Sequence, residues 1–335
     1  MVSRRGLSGI GAALLCGCLL LAGQAWAETE ASGDDLHWPL PWRAGRVLVY
    51  DQQYETTNRR DGKTVTVSGT DALELRIVRA DEDGFVQRWT STDPKLELAQ
   101  LPEALRLPMK AAVDAFAGLP LDVSLDRQGA YRGLANLDTL QPVYRKAMEQ
   151  LVADMLAQSE TPATDQGRAM MATMTQMLTT REVIEQEMAE IPAAYNFVAG
   201  GGLEPGMEYT YEDEGLAALD QSAIKRTNKV SLEATDDADV YRVQWRIEPD
   251  NAAVAQLVRK AVDEMLAGQF DLSDPKQKAE YDEALAKVGD DADYSTNVSY
   301  LVDATTGIVQ RMEHVQVERI GKKDETTTIV LTLRD

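Results

Sequence analysis

Few side chains in this chain could carry covalent or metal chemistry. Its 335 residues include two Cys, Cys16 and Cys18, and two His, His37 and His314. Both Cys lie in an N-terminal stretch that reads as removable. The mature chain then has no thiol for a disulfide, a Cys-ligated zinc, an iron–sulfur cluster or a Cys nucleophile. Two His leave almost no raw material for a multi-His metal site or a Ser-His-Asp triad. Ser222-Ala223-Ile224-Lys225 and Ser273-Asp274-Pro275-Lys276 fit the Ser-x-x-Lys pattern of a lysine-activated serine, but neither Lys-Thr-Gly nor Ser-Asp-Asn accompanies them. Ser273 also stands where a helix cap belongs. No Gly-x-Ser-x-Gly elbow and no phosphate-cradling glycine loop occurs. Paired carboxylates arise by chance among 55 acidic residues. Catalysis is the weaker reading, so no catalytic residue is assigned and no cofactor is expected.

The methionines are the more informative group. Seven of the 12 fall between Met148 and Met188. Met171, Met174 and Met177 recur at the spacing of one helix face, and thioethers so placed suit Cu(I). Met170, Met174 and Met177 also belong to an apolar stripe that must bury itself, either as plain core or as an adaptable apolar groove. No metal site is assigned. The groove candidates are Met148, Leu151, Met155, Met170, Met174, Met177, Leu178 and Met188. Asp236-Asp237-Ala238-Asp239 and Asp290-Asp291-Ala292-Asp293 offer oxygen ligands for calcium but lack the Gly and distal Glu of an EF-hand, and read as solvated turns. His314 alternates with Gln316 and Glu318 on one strand face and reads as half of a surface pair. His37 is expected to pack near Trp38 and Trp42.

Charge and leader restrict the partners. Arg4 and Arg5, an apolar run over residues 6–23, and Ala25-Trp26-Ala27 form a secretory signal pattern cut after Ala27. Leu15-Cys16-Gly17-Cys18 loosely resembles a lipobox, but apolar Leu19-Leu20-Leu21 follows where a polar mature chain should begin. Loss of residues 1–27, which hold two Arg and no acid, takes the formal charge from −21 to −23. So acidic a chain repels nucleic acid and anionic headgroups, and no basic patch offsets this. Nothing beyond the leader is long and apolar enough to span a bilayer, so the mature protein is expected to be periplasmic or secreted and not integral to the membrane.

The elements that position these residues repeat. Trp42-Arg43-Ala44-Gly45 is followed by Tyr50, and Leu203-Glu204-Pro205-Gly206 by Tyr211 at the same interval. An alternating strand follows in each copy, at 72–78 and 229–234, and then an acidic turn. Phe85-Val86-Gln87-Arg88-Trp89 and Tyr241-Arg242-Val243-Gln244-Trp245 come next. Helical periodicity covers 101–117, broken at Pro108, and 252–267. Both copies then return through an Asp-turn-Gly hairpin, at Asp126–Gly129 and Asp303–Gly307. Between the copies the spacing predicts helices over 141–157 and 166–190, the second ending before Pro192. A last helix starts at Ser273-Asp274-Pro275. The division is a leader (1–27), a first strand–helix–strand repeat (28–136), a Met-rich helical insert (137–200) and a second repeat (201–335).

The expected fold is α+β: duplicated antiparallel β-sheet units with covering helices and a central helical insert. In compartment, strand–helix alternation and apolar insert the chain resembles the bacterial lipoprotein-carrier (LolA/LolB-like) group. That resemblance implies a curved antiparallel sheet with helices inside it that holds an acyl chain; it carries no functional residue across. The chain also resembles uncharacterised secreted bacterial proteins built on the same Gly-x-x-x-x-Tyr strand opening. Two functions follow. One is a non-catalytic protein that binds or carries an apolar small molecule such as a lipid. The other is a cell-envelope module that docks a partner protein.

Overall fold

The computed structural model describes residues 35–60, 62–101, 103–157, 165–217, 220, 222–267, 270, 272–286, 292–321 and 323–334; the leader expected over 1–27 lies outside them. In chain order the elements are β1 (Leu36–His37), β2 (Val47–Arg60), β3 (Lys63–Asp81), β4 (Gly84–Glu97), α1 (Glu103–Phe116), β5 (Leu121–Leu125) and β6 (Tyr131–Leu134). The insert follows as α2 (Leu137–Ala157), α3 (Asp165–Leu178) and α4 (Arg181–Asn196). The rest is β7 (Gly201–Leu203), β8 (Glu208–Leu216), β9 (Ala223–Ala234), β10 (Val240–Pro249), α5 (Asn251–Ala267), α6 (Pro275–Ala286), β11 (Ala292–Asp303), β12 (Ile308–Ile320) and β13 (Lys323–Leu333). The fold is α+β.

One antiparallel sheet of eleven strands organises the molecule, in the order β6-β5-β4-β3-β2-β13-β12-β11-β10-β9-β8. Alternation in sequence explains its two faces. Val243, Trp245 and Ile247 of β10 are buried while Arg242, Gln244 and Arg246 between them are exposed. The inner face is apolar and covered by helices; the outer face is polar.

Two strand sets, β2–β6 and β8–β13, run across the sheet in the same sense and meet where β13 pairs with β2, Leu333 opposite Tyr50. Each set opens with the same turn. Gly45 (φ +82°) donates its N–H to the Ile77 carbonyl at 2.8 Å, and Gly206 (φ +85°) donates to the Leu232 carbonyl at 2.8 Å. The Asp–Gly hairpins match as well: Gly129 donates to the Asp126 carbonyl at 3.1 Å and Gly307 to the Asp303 carbonyl at 2.7 Å. In both, the Asp carboxylate accepts two downstream backbone N–H groups. Trp89 and Trp245 are both buried on the inner face, each on the third strand of its set.

Four details differ from expectation. The insert holds three helices, because Thr180 accepts from the Val183 N–H and starts a new helix after Leu178. Helix α4 does not stop before Pro192 but runs on to Asn196. Pro in a helix interior costs about 3 kcal/mol, and burial of Ala189, Ala194 and Tyr195 under the sheet offsets it. Likewise α1 continues through Pro108. The cap of α6 is Asp274 rather than Ser273, its carboxylate accepting from the Lys276 N–H at 2.9 Å.

The two ends of the curled sheet are built differently. At the end where β2 begins, β1 pairs with β7, Trp38 donates to the Val198 carbonyl at 2.8 Å, and the Gly307 turn lies against the Pro39 backbone. At the opposite end the chain leaves the sheet through α1 after β4 and through α5 after β10.

Candidate ligand-binding site

Helix α4 positions the interior. It bridges the two edges of the sheet with adjacent residues: Glu185 accepts from the Leu134 N–H of β6 at 3.3 Å, and Gln186 donates to the Leu216 carbonyl of β8. A helix laid across both edges protects strands that would otherwise present unpaired backbone groups. It also encloses the inner face.

The C-terminal turn of α4 seals the middle of that face. The Tyr195 ring meets Trp89 edge-on at 5.1 Å and Tyr50 edge-on at 5.7 Å, while Phe197 stacks on Trp245 at 3.7 Å. The Tyr195 and Tyr50 hydroxyls lie 2.6 Å apart, and Tyr50 donates on to the Val309 carbonyl at 2.8 Å. Asn196 and Gln87 exchange two amide hydrogen bonds of 2.9 Å, and the Trp89 indole donates to Gln87 at 3.0 Å. Burial pushes both phenols well above the ordinary tyrosine value, so they stay neutral. This part is solid core.

Toward the α1/α5 end the inner face changes character. Along β12 the inward residues run Met312, His314, Gln316, Glu318 and Ile320. His314 is 3% exposed and sits with its Nε2 3.3 Å from Glu190 Oε1 of α4. The expected surface pair with Glu318 is therefore corrected: His314 is an interior residue facing a helix. Neither Glu190 Oε1 nor His314 Nδ1 has a hydrogen-bond partner. Burial holds the His314 imidazolium down to about 4. Burial first, and the nearby Glu187 second, push the Glu190 carboxyl up to about 8. Glu318 is buried against Lys323 Nζ at 2.9 Å, and Glu325 lies 3.5 Å from the same ammonium and accepts from Asn58 at 2.7 Å. Arg226, 1% exposed, is held by Asp213, which also accepts from Asn228 at 2.9 Å.

Between these polar groups the cross-strand row Thr296–Gln316–Thr327–Thr56–Val67 is only half-buried. The polar belt splits the apolar interior. Below it α5 closes a separate small core of Ile224, Val254, Leu257, Val258, Tyr294 and Ile320.

The methionine stripe is placed in part. Met148 is half-buried against Leu178 and Val183, a cluster separate from the main core. Leu151 and Leu178 are buried, Met177 is half-buried, and Met188 packs on the main core. The side chains of Met155, Met170 and Met174 lie outside the described residues. Met171, a member of the copper-spacing run, is buried at 4% exposure. His37 is exposed on β1, not packed; its neighbour Trp38 is the buried residue. Ser222 lies in the turn before β9 with its N–H on Asp220, and Lys225 is exposed beyond it. Asp239 and Asp237 bond within their own turn, and Asp290 and Asp291 lie outside the described residues. Among the described residues no group of His, Cys, Asp and Glu could hold a metal ion, and no helix is long and apolar enough to cross a membrane.

No protein family matches the chain, and no curated protein does. Among solved structures it is similar to one titled "Lipid-protein interactions in lipovitellin", with a TM-score of 0.43 and 8% identity over 88% of this chain. The chain spans 25% of that lipovitellin chain.

Proposed function

We propose that the protein is a non-catalytic carrier or binder of an apolar small molecule such as a lipid. The ligand is held on the inner face of the curled sheet, beside the Met-bearing helices α2 and α3. One observation carries this reading: toward the α1/α5 end the inner face is covered less completely than at its centre. The C-terminal turn of α4 seals its centre, whereas Val65, Val67 and Ile329 toward the α1/α5 end remain half-buried on the same face. A soluble monomer that folds only for its own sake covers such a surface with side chains. The insert helices gather Met148, Leu178 and Val183 into their own cluster instead of joining the main core. Leu107 of α1, Leu216 of β8 and Leu272 ahead of α6 are strongly exposed on elements at this end, where a ligand enters. Secretion to the periplasm or beyond belongs to the same proposal and rests on the leader pattern.

Mass spectrometry of gently purified protein, together with displacement of the neutral fluorophore N-phenyl-1-naphthylamine, tests it. A co-purifying apolar molecule and saturable fluorophore binding are expected, with binding weakened by Met177→Lys in a variant that keeps its melting transition. No co-purifying molecule and no saturable fluorophore signal would overturn it.

A further inference from the structure

We infer that the free edge of β8 is completed by an extended segment of a partner protein with basic residues at every second position. This inference is independent of the carrier reading. β8 ends the sheet and pairs only with β9, without a register shift from Glu208 opposite Ser231 to Leu216 opposite Ala223. Just beyond, the Ala217 N–H donates to the Ser222 carbonyl at 2.9 Å. Antiparallel bonding alternates along a strand, so the odd-numbered residues of β8 bond to β9. The backbone groups of Glu208, Thr210, Glu212, Glu214 and Leu216 then point away from the sheet. The Gln186 amide on the Leu216 carbonyl agrees with that parity and covers the last of them. The other four residues are exposed, and among the described residues nothing bonds to the outward side of their backbones.

Open edges template pairing with other chains, and proteins normally blunt them. The rest of this sheet shows how. β6 is four residues long, and Glu185 accepts from its Leu134 N–H. Where β4 runs on past β5, Asp93 at φ +54° and Pro94 interrupt the edge. β8 has neither device. It carries Glu208, Glu212 and Glu214 instead, all on the outer face and without an ion pair among the described residues. These acids decide the occupant. Two copies of this chain would pair antiparallel about a two-fold axis. Centred on Thr210, that pairing sets Glu208 against Glu212; centred on Glu212, it sets that residue against its own copy. Like charges directly opposite are destabilising, so a second copy is disfavoured. An antiparallel strand with Lys or Arg at alternate positions instead places a cation opposite each Glu, while its backbone satisfies the edge. Its intervening side chains fall on the inner face beside Tyr209 and Tyr211, half-buried against the main core, and apolar residues suit that place.

Fluorescence anisotropy of labelled peptides with the intact protein, at physiological salt, tests this. Because the whole chain is acidic, the comparison holds peptide charge constant. A peptide of alternating Lys and Val is expected to bind about tenfold more tightly than its block isomer, in which the Lys all precede the Val. Thr210→Pro removes an outward N–H and no bond to β9, a change that edge strands accept. It should weaken the alternating peptide about tenfold and keep the melting transition. N-methylation at the peptide's Lys amides, which face β8 when each Lys stands opposite a Glu, should give the same loss. At the Val amides it should not, and this pair decides the matter if Thr210→Pro does not fold. Glu212→Lys should weaken the alternating Lys peptide as well. Equal affinity for the two isomers, or binding that neither Thr210→Pro nor Lys-amide methylation weakens, would reduce the edge to diffuse negative charge and overturn the inference. Absence of saturable binding by the alternating peptide would overturn it too. Each of these outcomes leaves the carrier reading to the fluorophore experiment above.

Discussion

The sealed centre of the inner face and its open end are made of the same strands yet obey different rules. At the centre Tyr50, Gln87, Trp89, Tyr195 and Asn196 give each other what they need: rings meet edge to face and the named amides and hydroxyls are bonded. Two or three rungs further along the sheet, His314 and, opposite it on α4, Glu190 keep orphan atoms, and Gln316 and Thr327 stay half-buried. Complete pairing is what stability selects, and leaving it incomplete costs free energy. The contrast is one of degree, since Trp42 Nε1 beside Tyr195 is unpaired too, and under the carrier reading proposed above the less complete part is the one that holds ligand.

The largest expected effect breaks the sealed centre. Trp89→Ala removes an indole packed on Tyr195 and leaves the Gln87–Asn196 pair without its third member. Phe or Trp truncations of this kind cost about 3–5 kcal/mol, so urea unfolding should show a large drop in midpoint. The same measurement on Tyr195→Phe should show a smaller loss, about 1–2 kcal/mol, from the Tyr50 hydroxyl left without its neighbour. If either variant unfolds like the wild type, the centre is not the core described.

Glycine substitutions test how the closed end of the sheet is held. Gly307 has φ +68°, and a Cβ there would lie 1.8 Å from the Pro39 carbonyl oxygen; Gly45 has φ +82° and open space around it. Gly307→Ala should therefore cost about 2–4 kcal/mol, combining strain with a backbone clash, whereas Gly45→Ala should cost about 1 kcal/mol from strain alone. Thermal melts that rank the two in reverse would show that the N-terminal segment does not hold this end shut.

How far the sequence foretold this contrast depends on the element. Periodicity located the strands and most helices because alternation and helical spacing are local. The matched turns at Gly45 and Gly206 were also legible, since an unhindered positive φ calls for Gly and leaves a mark in the sequence. The three-helix insert was less so: Thr179 and Thr180 do not look like a strong stop, and Pro192 looks like one but is overridden by burial of Tyr195. His314 was misread although its strand held the clue. It shares parity with Met312 and Ile320, both buried, so its face was the inner one. What no local pattern gives is the helix opposite that face, and so Glu190 as partner could come only from the tertiary structure.

Titration sharpens the contrast with a smaller effect. Glu190 is raised in the folded state from 4.5 to about 8, so its stabilising proton is fully counted at low pH and lost as pH rises through 8. His314 is lowered from 6.5 to about 4, so its contribution is present above 6.5 and lost as pH falls through 4. Between about 4.5 and 6.5 the folded and unfolded forms of the pair each hold one proton, and the pair adds no slope. From 6.5 to 8 the folded pair holds one proton more, and stability should fall by about 1–2 kcal/mol. Glu190→Gln should remove that alkaline fall relative to the wild type, and His314→Gln should extend the fall down to about 4.5, because Glu190 then titrates without the opposing imidazole. Phenol burial at Tyr50 and Tyr195 adds nothing in this range, because both stay protonated.

The smallest stability effect belongs to Gln316, and it is the most telling about function. Gln316 lies between buried His314 and buried Glu318 on β12, facing inward yet half-buried, with Thr296 and Thr327 on either side in register. An amide in a finished core would have two or three partners and would be missed by about 1–3 kcal/mol on truncation. Here the amide borders accessible space, so Gln316→Ala should change the free energy of unfolding by no more than about 0.5 kcal/mol, the usual range for positions without packed neighbours. Replacing it with Leu should also be tolerated, since apolar Val67 and Ile329 lie on the same face nearby. Ligand binding should respond in the opposite way: Leu raises affinity for the tail of any apolar probe, and Ala leaves it little changed. A loss of 2 kcal/mol or more in stability for Gln316→Ala, roughly the cost of an unsatisfied buried partner, would mean that this row is closed in the native protein. The difference between the two ends of the inner face would then be one of composition and not of access.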